Sequence, residues 1–137
     1  ILTITQVPVM IADAILGLTS SKILVLLLIN VLLLIVGTFM ETNAAIIILT
    51  PILLPIVTRL GVNPIHFGII VVMNLAIGFI TPPLGANLFM ACQVGEISFD
   101  KLARKIWPWI VVMVALLMLV TYIPQISMAL PEAMGVI

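Results

Sequence analysis

The sequence predicts an all-α integral membrane protein whose helices are interrupted by polar, proline-rich segments. Of its 137 residues, 64% are hydrophobic and 7% are charged, whereas a soluble domain carries about a quarter charged residues. The apolar runs are long and uncharged, which favours helices over the alternating strands of an outer-membrane barrel. Two adjacent prolines in the middle of one such run predict a broken helix, a feature that recurs in secondary transporters.

Composition also excludes several classes of function. The net charge is zero, so the chain shows no nucleic-acid footprint. Cys92 is the single cysteine, which excludes an internal disulfide and a multi-cysteine metal site. A membrane enzyme is the least favoured function, because no pair of carboxylates, histidine cluster or nucleophile with its base falls within one site. The chain begins inside an apolar segment, and we expect it to be a piece of a larger membrane protein.

Residues 1–21 are predicted to form the end of a crossing followed by an arm helix that lies along the membrane interface. Pro8 suits the first turn of a helix, where its missing N–H costs little. Asp13 then stands among apolar residues, and a loop signal follows from Gly17 to Lys22. We expect Asp13 to be a solvated or helix-capping residue.

Residues 22–60 contain two apolar runs joined by a polar tip near residues 37–45. The first run, from Ile23 to Met40, is long enough for a crossing, whereas the run from Ala44 to Val57 is shorter and carries two prolines. Two interpretations stay open here: two full crossings that meet at an external loop, or two half-length helices that form a re-entrant hairpin. The short second run favours the hairpin. Asn30, inside the first run, is expected to bond to a neighbouring helix.

Glu41 at this tip allows two interpretations that are compatible with each other. An ionisable residue buried in a membrane is by default a candidate functional residue. A glutamate near the first turn of a helix is also stabilised there by the free N–H groups and the helix dipole.

Residues 61–95 are predicted to form a transmembrane helix that is broken near residues 78–85. Neither Pro82 nor Pro83 can donate a backbone hydrogen bond, and each ring clashes with the carbonyl four residues earlier. The carbonyls of Gly78 and Phe79 are therefore expected to be freed, and freed carbonyls are tolerated at membrane depth only in a covered or polar place. A simple proline kink is the alternative. Thr81, Gly85 and Asn87 around the prolines favour a binding site.

The turns at the ends of these segments set the predicted topology. Thr58 to Pro64 is predicted to form an aqueous turn, and His66 just after it is expected to be a surface or capping histidine. Residues 96–105 are predicted to be an amphipathic connector, which the positive-inside rule places in the cytoplasm because three of the five basic residues lie there. Residues 106–137 then form the last crossing, from Ile106 to Leu130, and an extracytoplasmic C-terminus.

Several segments together resemble the C-terminal part of the large membrane subunit of tripartite ATP-independent periplasmic (TRAP) transporters. The similarity runs from about Val7 to Pro131. Thr42 and Asn43 are also similar to the Ser-Asn-Thr tips of related sodium–dicarboxylate carriers, although in a different order. The segments that carry the TRAP resemblance are 37–41 (GTFME), 44–55 (AAIIILTPILLP), 63–70 (NPIHFGII), 74–78 (NLAIG) and 81–89 (TPPLGANLF).

The resemblance implies a fold, a function and partners. Such subunits import organic acids, for example sialic acid or dicarboxylates, and are driven by a sodium gradient. They reside in the bacterial inner membrane and work with a small membrane subunit and a soluble periplasmic substrate-binding protein. They consist of two inverted repeats and move by an elevator motion. This chain would be the second repeat, with one re-entrant hairpin and one broken helix.

The combined hypothesis is that the tip faces the break and that both hold sodium and an organic acid. Sodium would bind carbonyl and hydroxyl oxygens at Gly78, Phe79, Thr81, Thr42 and Asn43, while Glu41 orients the tip. The helix that follows Pro83 would direct its N–H groups at a carboxylate. The full set of candidate residues is Gly37, Thr38, Glu41, Thr42, Asn43, Gly78, Phe79, Thr81, Pro82, Pro83, Gly85 and Asn87.

Two other functions remain open at this stage. One is a related sodium–dicarboxylate carrier that needs no binding protein. The other is a membrane assembly subunit that transports nothing and uses its polar residues only to hold helices together.

Overall fold

The computed structural model describes residues 7–18 and 21–136, and within these ranges the chain is entirely helical with connecting turns. The predicted end of a crossing at residues 1–6, and Thr19 and Ser20 of the predicted loop, lie outside them. The described helices are α1 (Val7–Leu18), α2 (Lys22–Phe39), α3 (Thr42–Arg59), α4 (Pro64–Gly78), α5 (Ala86–Gly95), α6 (Phe99–Tyr122) and α7 (Pro124–Ala133).

Three of these helices, α2, α3 and α6, are long and apolar enough to cross a membrane. The all-α membrane class is therefore confirmed in its coarse form. The apolar side chains that α2, α3, α4 and their connecting turn bury against each other form the main core, and the centre of this core is fully shielded at Val25, Leu33, Ile56 and Leu75.

The second apolar run is longer than its sequence suggests. α3 has 18 residues, as many as α2, so that each helix spans about 27 Å. Pro51 and Pro55 lie inside α3 without ending it, and Glu41 caps its start, which extends the helix beyond the predicted run from Ala44 to Val57. The expectation of a half-length second helix was therefore wrong, and length no longer separates a hairpin from two crossings.

α2 and α4 run in the same direction and pack closely along their length. Asn30 bonds to Asn74 midway along α2, and seven residues later the backbone of Gly37 lies against that of Gly78. A Cβ atom added to Gly78 would lie 2.8 Å from the Cα and carbonyl carbon of Gly37 and from the carbonyl oxygen of Leu34. Only glycine allows this approach, so the ends of the two helices are fixed at one level.

α6 runs alongside α4 and α5, and its contacts show how far along α6 the helix α4 ends. Near one end of α6, the main-chain carbonyl of Thr121 contacts His66 of α4, and at the other end Phe99 stacks on Phe89 of α5 with ring centroids 4.8 Å apart. Between them, Ile77 at the end of α4 shares an apolar cluster with Ile110. The end of α4 therefore lies about halfway along the 24 residues of α6.

The boundaries of the last crossing differ from those predicted. α6 begins at Phe99, so the basic residues of the predicted connector, Lys101, Arg104 and Lys105, form its first turns. The helix ends at Tyr122 and not at Leu130, because Pro124 lacks an N–H and forces the preceding residue out of the helical region. α7 starts again from that proline.

His66 is not the surface or capping histidine that the sequence suggested. Its side chain is only 3% exposed, although it lies in the first turn of α4. Asn63 caps this helix instead, by accepting a hydrogen bond from the backbone N–H of Ile65. The imidazole is covered because α7, which packs against α4, brings Ser127 into contact with it.

Asp13 also has a tertiary partner. Its carboxylate lies 2.6 Å from the guanidinium of Arg59, which joins α1 to the end of α3. Both side chains remain largely exposed, so this ion pair contributes about 0–1 kcal/mol.

Candidate functional site

The seven residues between α4 and α5 form the break, and the chain there turns tightly on itself. The N–H of Thr81 donates to the carbonyl oxygen of Gly78 at 3.0 Å, and the N–H of Asn87 donates to that of Phe79 at 3.3 Å. The two carbonyls that the prolines were expected to free therefore each accept one hydrogen bond. The expectation that these carbonyls are free is therefore only partly wrong. A carbonyl oxygen has two lone pairs, so each of the two oxygens keeps one lone pair for a further ligand.

Thr81 is held in the middle of the break with its oxygen still able to coordinate. Its hydroxyl donates to the carbonyl oxygen of Ile77 at 2.7 Å, and the side chain is half-buried. Because the hydrogen is committed to Ile77, the lone pairs of the hydroxyl point elsewhere. This geometry suits a cation ligand.

Gly85 closes the break and starts α5. Its φ of +20° is unfavourable for other residues, and a Cβ there would lie 2.9 Å from the carbonyl oxygen of Thr81. The N–H groups of Asn87 and Leu88 in the first turn of α5 already donate to Phe79 and Gly85. The start of α5 thus has fewer free donors for a substrate carboxylate than the sequence suggested. The side chains of Pro83 and Asn87 are exposed, and that of Pro82 is half-buried.

At the tip between α2 and α3, the Glu41 carboxylate is bound within its own turn. It accepts hydrogen bonds from the N–H and the side-chain amide of Asn43, at 3.0 and 2.9 Å, and from the N–H of Ala44 at 3.0 Å. Helix capping is therefore the interpretation that these contacts show, and a role in ion binding stays a prediction.

The structure brings part of the tip and part of the break together. Gly37 touches Gly78, and Thr38 is half-buried just beyond, where its hydroxyl donates to the carbonyl oxygen of Leu34 at 3.0 Å. Within residues 7–18 and 21–136, no hydrogen bond joins Glu41, Thr42 or Asn43 to the break. The far side of the tip remains open, with Asn43 exposed and Thr42 half-buried.

The break contains uncharged oxygen atoms of the kind that a hard cation binds. Gly78 and Phe79 supply carbonyl oxygens and Thr81 a hydroxyl, each with a lone pair to spare. In the part of the chain that the structure describes, no group of three His, Cys, Asp or Glu side chains is close enough to hold a metal ion. Oxygen atoms of this kind suit a hard cation, and sodium binding stays a prediction.

A chain of buried polar side chains links three helices, and sequence reasoning found only one member of it. Asn74 donates to the side-chain oxygen of Asn30 at 2.7 Å, and Asn30 donates to the hydroxyl of Thr121 at 3.1 Å. All three are buried. The expected helix–helix bond of Asn30 is confirmed. The sequence also contains a clue to the partners of Asn30, since Asn74 and Thr121 are polar residues in apolar helices.

A cavity lies away from the tip and the break. It has a volume of about 660 Å³ and opens where α2 and α4 begin and α6 ends, the end predicted to be extracytoplasmic. Its polar lining includes Lys22, His66, Thr121, Tyr122 and Glu132. We place the candidate transport site at the tip and the break despite this cavity, because the oxygen donors and the irregular backbone lie there.

Comparison with known proteins identifies the family. Residues 1–126 match the family described as "Tripartite ATP-independent periplasmic transporter, DctM component". The chain is 59% identical over 128 residues to the isethionate TRAP transporter permease protein DctMQ of Oleidesulfovibrio alaskensis, with 93% of this chain and 20% of that protein covered.

Two further relatives carry other substrates in their names. The C4-dicarboxylate TRAP transporter large permease protein DctM of Pseudomonas aeruginosa is 45% identical, over 98% of this chain and 32% of its own length. The sialic acid TRAP transporter large permease protein SiaM of Vibrio cholerae is 42% identical, over 93% of this chain and 30% of its own. The chain thus spans a fifth to a third of these relatives, and it belongs to the DctM family of TRAP transporter membrane proteins.

Proposed function

We propose that this chain is the second inverted repeat of a sodium-coupled importer of organic acids, and that its tip and break form one half of the transport site. Membership of the family supports transport of organic acids in general. The sodium coupling, the re-entrant position of the tip and the elevator motion are parts of the proposal.

The contact between Gly37 and Gly78 is the observation that carries the proposal. It joins the end of α2 to the end of α4, so that the tip and the break begin at the same level. That level lies near Ile110, in the uncharged part of α6 that follows Lys105. Non-helical backbone at that depth is tolerated where it lines a polar site.

Sodium would couple the two segments through oxygen atoms that carry no formal charge. The carbonyls of Gly78 and Phe79 and the hydroxyl of Thr81 offer spare lone pairs, and Thr42 and Asn43 at the tip complete the set. Weak, uncharged ligands suit an ion that must dissociate on the inner side.

The substrate is an organic anion. The relatives' names give isethionate, C4-dicarboxylates and sialic acid, all of which carry an acidic group. Since two of the first N–H groups of α5 are already bonded, the bound cation supplies much of the attraction for the anion, together with the dipole of α5. The requirement for sodium then has a direct electrostatic cause.

The tripartite family implies two partners and a location. We propose that the chain works in the bacterial inner membrane with a small membrane subunit and a soluble periplasmic substrate-binding protein. Vesicles that take up substrate only after the binding protein is added would support this arrangement. Equal uptake without it would favour the related carriers that need no binding protein.

Uptake of the organic acid by the complete transporter, measured against sodium concentration, tests the site. We expect Thr81→Ala and Asn43→Ala to shift the half-saturating sodium concentration upward by about tenfold, the equivalent of one lost ligand worth about 1.4 kcal/mol. Thr58→Ala is the matched control, because the Thr58 hydroxyl bonds only within α3. Sodium titrations that match the wild type in both variants would remove both residues from the site.

A further inference from the structure

His66 lies in the wall of the 660 Å³ cavity and is enclosed by three helices. It belongs to α4, its Nε2 atom lies 3.2 Å from the carbonyl oxygen of Thr121 on α6, and its Nδ1 atom contacts the hydroxyl of Ser127 on α7. The proposed transport site does not use this residue, so its burial with two polar partners requires another explanation.

The hydrogen-bond partners of His66 determine which atoms carry hydrogen. A carbonyl oxygen only accepts, so Nε2 must donate to Thr121. The Ser127 hydroxyl also lies 3.0 Å from the carbonyl oxygen of Pro124, which again only accepts. Ser127 has one hydroxyl hydrogen and two possible acceptors for it, Nδ1 of His66 and the carbonyl oxygen of Pro124.

Two arrangements satisfy these contacts, and they differ by one proton. When Ser127 donates to Pro124, Nδ1 must itself donate, and the imidazole is a cation with both nitrogens bonded. When Ser127 donates to Nδ1, the imidazole is neutral and Pro124 loses its hydrogen bond from the side chain. The protonated form therefore keeps one more hydrogen bond at the start of α7.

We propose that His66 is a proton-binding site, reached through the cavity from the end of the protein predicted to be extracytoplasmic, and that the bound proton fastens α7 to α4 and α6. In the protonated form, Ser127 bridges His66 and the first turn of α7. Histidine is suited to this because its charge changes near physiological pH.

The charged and titratable groups around the cavity come from each neighbouring helix. Glu132 on α7 favours the cation, Lys22 on α2 opposes it, and Tyr122 on α6 is uncharged near neutral pH. The turn between α3 and α4 contributes Gly61, Val62 and Asn63, none of which titrates. Both signs of charge are present, so the hydrogen bonds to Thr121 and Ser127 decide which form is held.

Nuclear magnetic resonance of the complete transporter, labelled with ¹⁵N in its histidine rings and held in lipid nanodiscs, tests the proposal between pH 5 and 8.5. The His66 signal is the one that disappears in His66→Gln. We expect it to change from cation to neutral ring within this range. Ser127→Ala should lower the midpoint of that change by about one unit, since the bond that the cation loses is charge-assisted and stronger than the one that the neutral ring loses.

Tyr122→Phe is the control, because it lines the same cavity but its hydroxyl donates to the carbonyl of Ile23 and not to His66. Its midpoint should equal that of the wild type. If His66→Gln fails to fold, the signal that shifts in Ser127→Ala and not in Tyr122→Phe identifies His66. A ring that keeps one protonation state over the whole range, or a set of histidine midpoints unchanged by Ser127→Ala, overturns the proposal.

Discussion

At the scale of single residues, glycines and capping side chains explain how the tip and the break are held. Gly37 and Gly78 let two backbones touch, and Gly85 adopts a positive φ beneath the carbonyl of Thr81. Glu41 holds the first turn of α3. Each role depends on a small number of atoms, so each can be tested by one substitution.

Gly78→Ala should destabilise the packing of α2 on α4. The added methyl would lie 2.8 Å from backbone atoms of α2, which cannot rotate away, and overpacking of this kind costs about 1–3 kcal/mol. Unfolding of the transporter in detergent measures the loss. Gly68→Ala is the control on the same helix, because nothing lies within 4 Å of its Cβ position; it should be neutral or stabilise by up to about 1 kcal/mol. Equal stability of the two variants would contradict the close approach.

Glu41→Ala should loosen the first turn of α3, because the N–H groups of Asn43 and Ala44 lose their acceptor. Amide hydrogen exchange should be faster at these two residues, and Glu41→Asp should restore protection in part. Protection that is the same in wild type and Glu41→Ala would show that the cap is unimportant.

At the scale of helices, proline chemistry and buried polar side chains determine where helices end and what they contact. α4 ends at Gly78, four residues before Pro82, and α6 ends two residues before Pro124. By contrast, Pro51 and Pro55 do not interrupt α3. Pro108 inside α6 and Pro131 inside α7 likewise leave their helices unbroken, so proline ends a helix at some positions and not at others.

Local chemistry explains what the sequence could and could not predict about these helices. The bonding need of Asn30 follows from its own amide in an apolar run, so its helix–helix bond was predictable, but its partners depend on the packing of α2, α4 and α6. The burial of His66 was mispredicted because it depends on contacts with α6 and α7 that the local sequence does not contain. The length of α3 was mispredicted for a different reason, since Glu41 extends the helix by a local cap and the two prolines inside it do not end it.

The Asn30 network should show measurable coupling between helices. A double-mutant cycle with Asn30→Ala and Thr121→Ala should give an interaction free energy of about 0.5–1.5 kcal/mol in equilibrium unfolding, the range for hydrogen bonds between membrane helices. A second cycle, with Asn30→Ala and Thr58→Ala, is the control, since Thr58 bonds only within α3. Interaction energies near zero in both cycles would contradict a stabilising bond.

At the scale of the whole molecule, the surface indicates that this chain is surrounded by lipid or by further protein. α6 exposes large apolar side chains along most of its length, and α2 does so on one face. Contiguous apolar surface of this kind is rare on soluble monomers. Examples are Leu28, Ile35, Val111, Val112, Leu116 and Leu119, all at least 49% exposed.

The candidate site itself is open on one side in this chain. The chain covers 20–32% of its relatives' lengths, and the open side of the tip leaves Asn43 exposed. The sequence was sufficient to select the break, because adjacent prolines have no place in a continuous helix. It did not show that Gly78 and Phe79 find new donors, since those N–H groups come from the turn that the prolines impose.

Thiol labelling of a Thr81→Cys transporter tests the central claim most directly. The experiment uses a Cys92→Ser background in which the other cysteines of the complete protein are also replaced, and a membrane-impermeant reagent is applied to each side of sealed vesicles. We predict that the introduced thiol is reactive from at least one side, and that sodium together with the organic acid slows labelling at least tenfold. A thiol that stays unreactive from both sides, or that reacts equally with and without sodium and substrate, would contradict a transport site at the break.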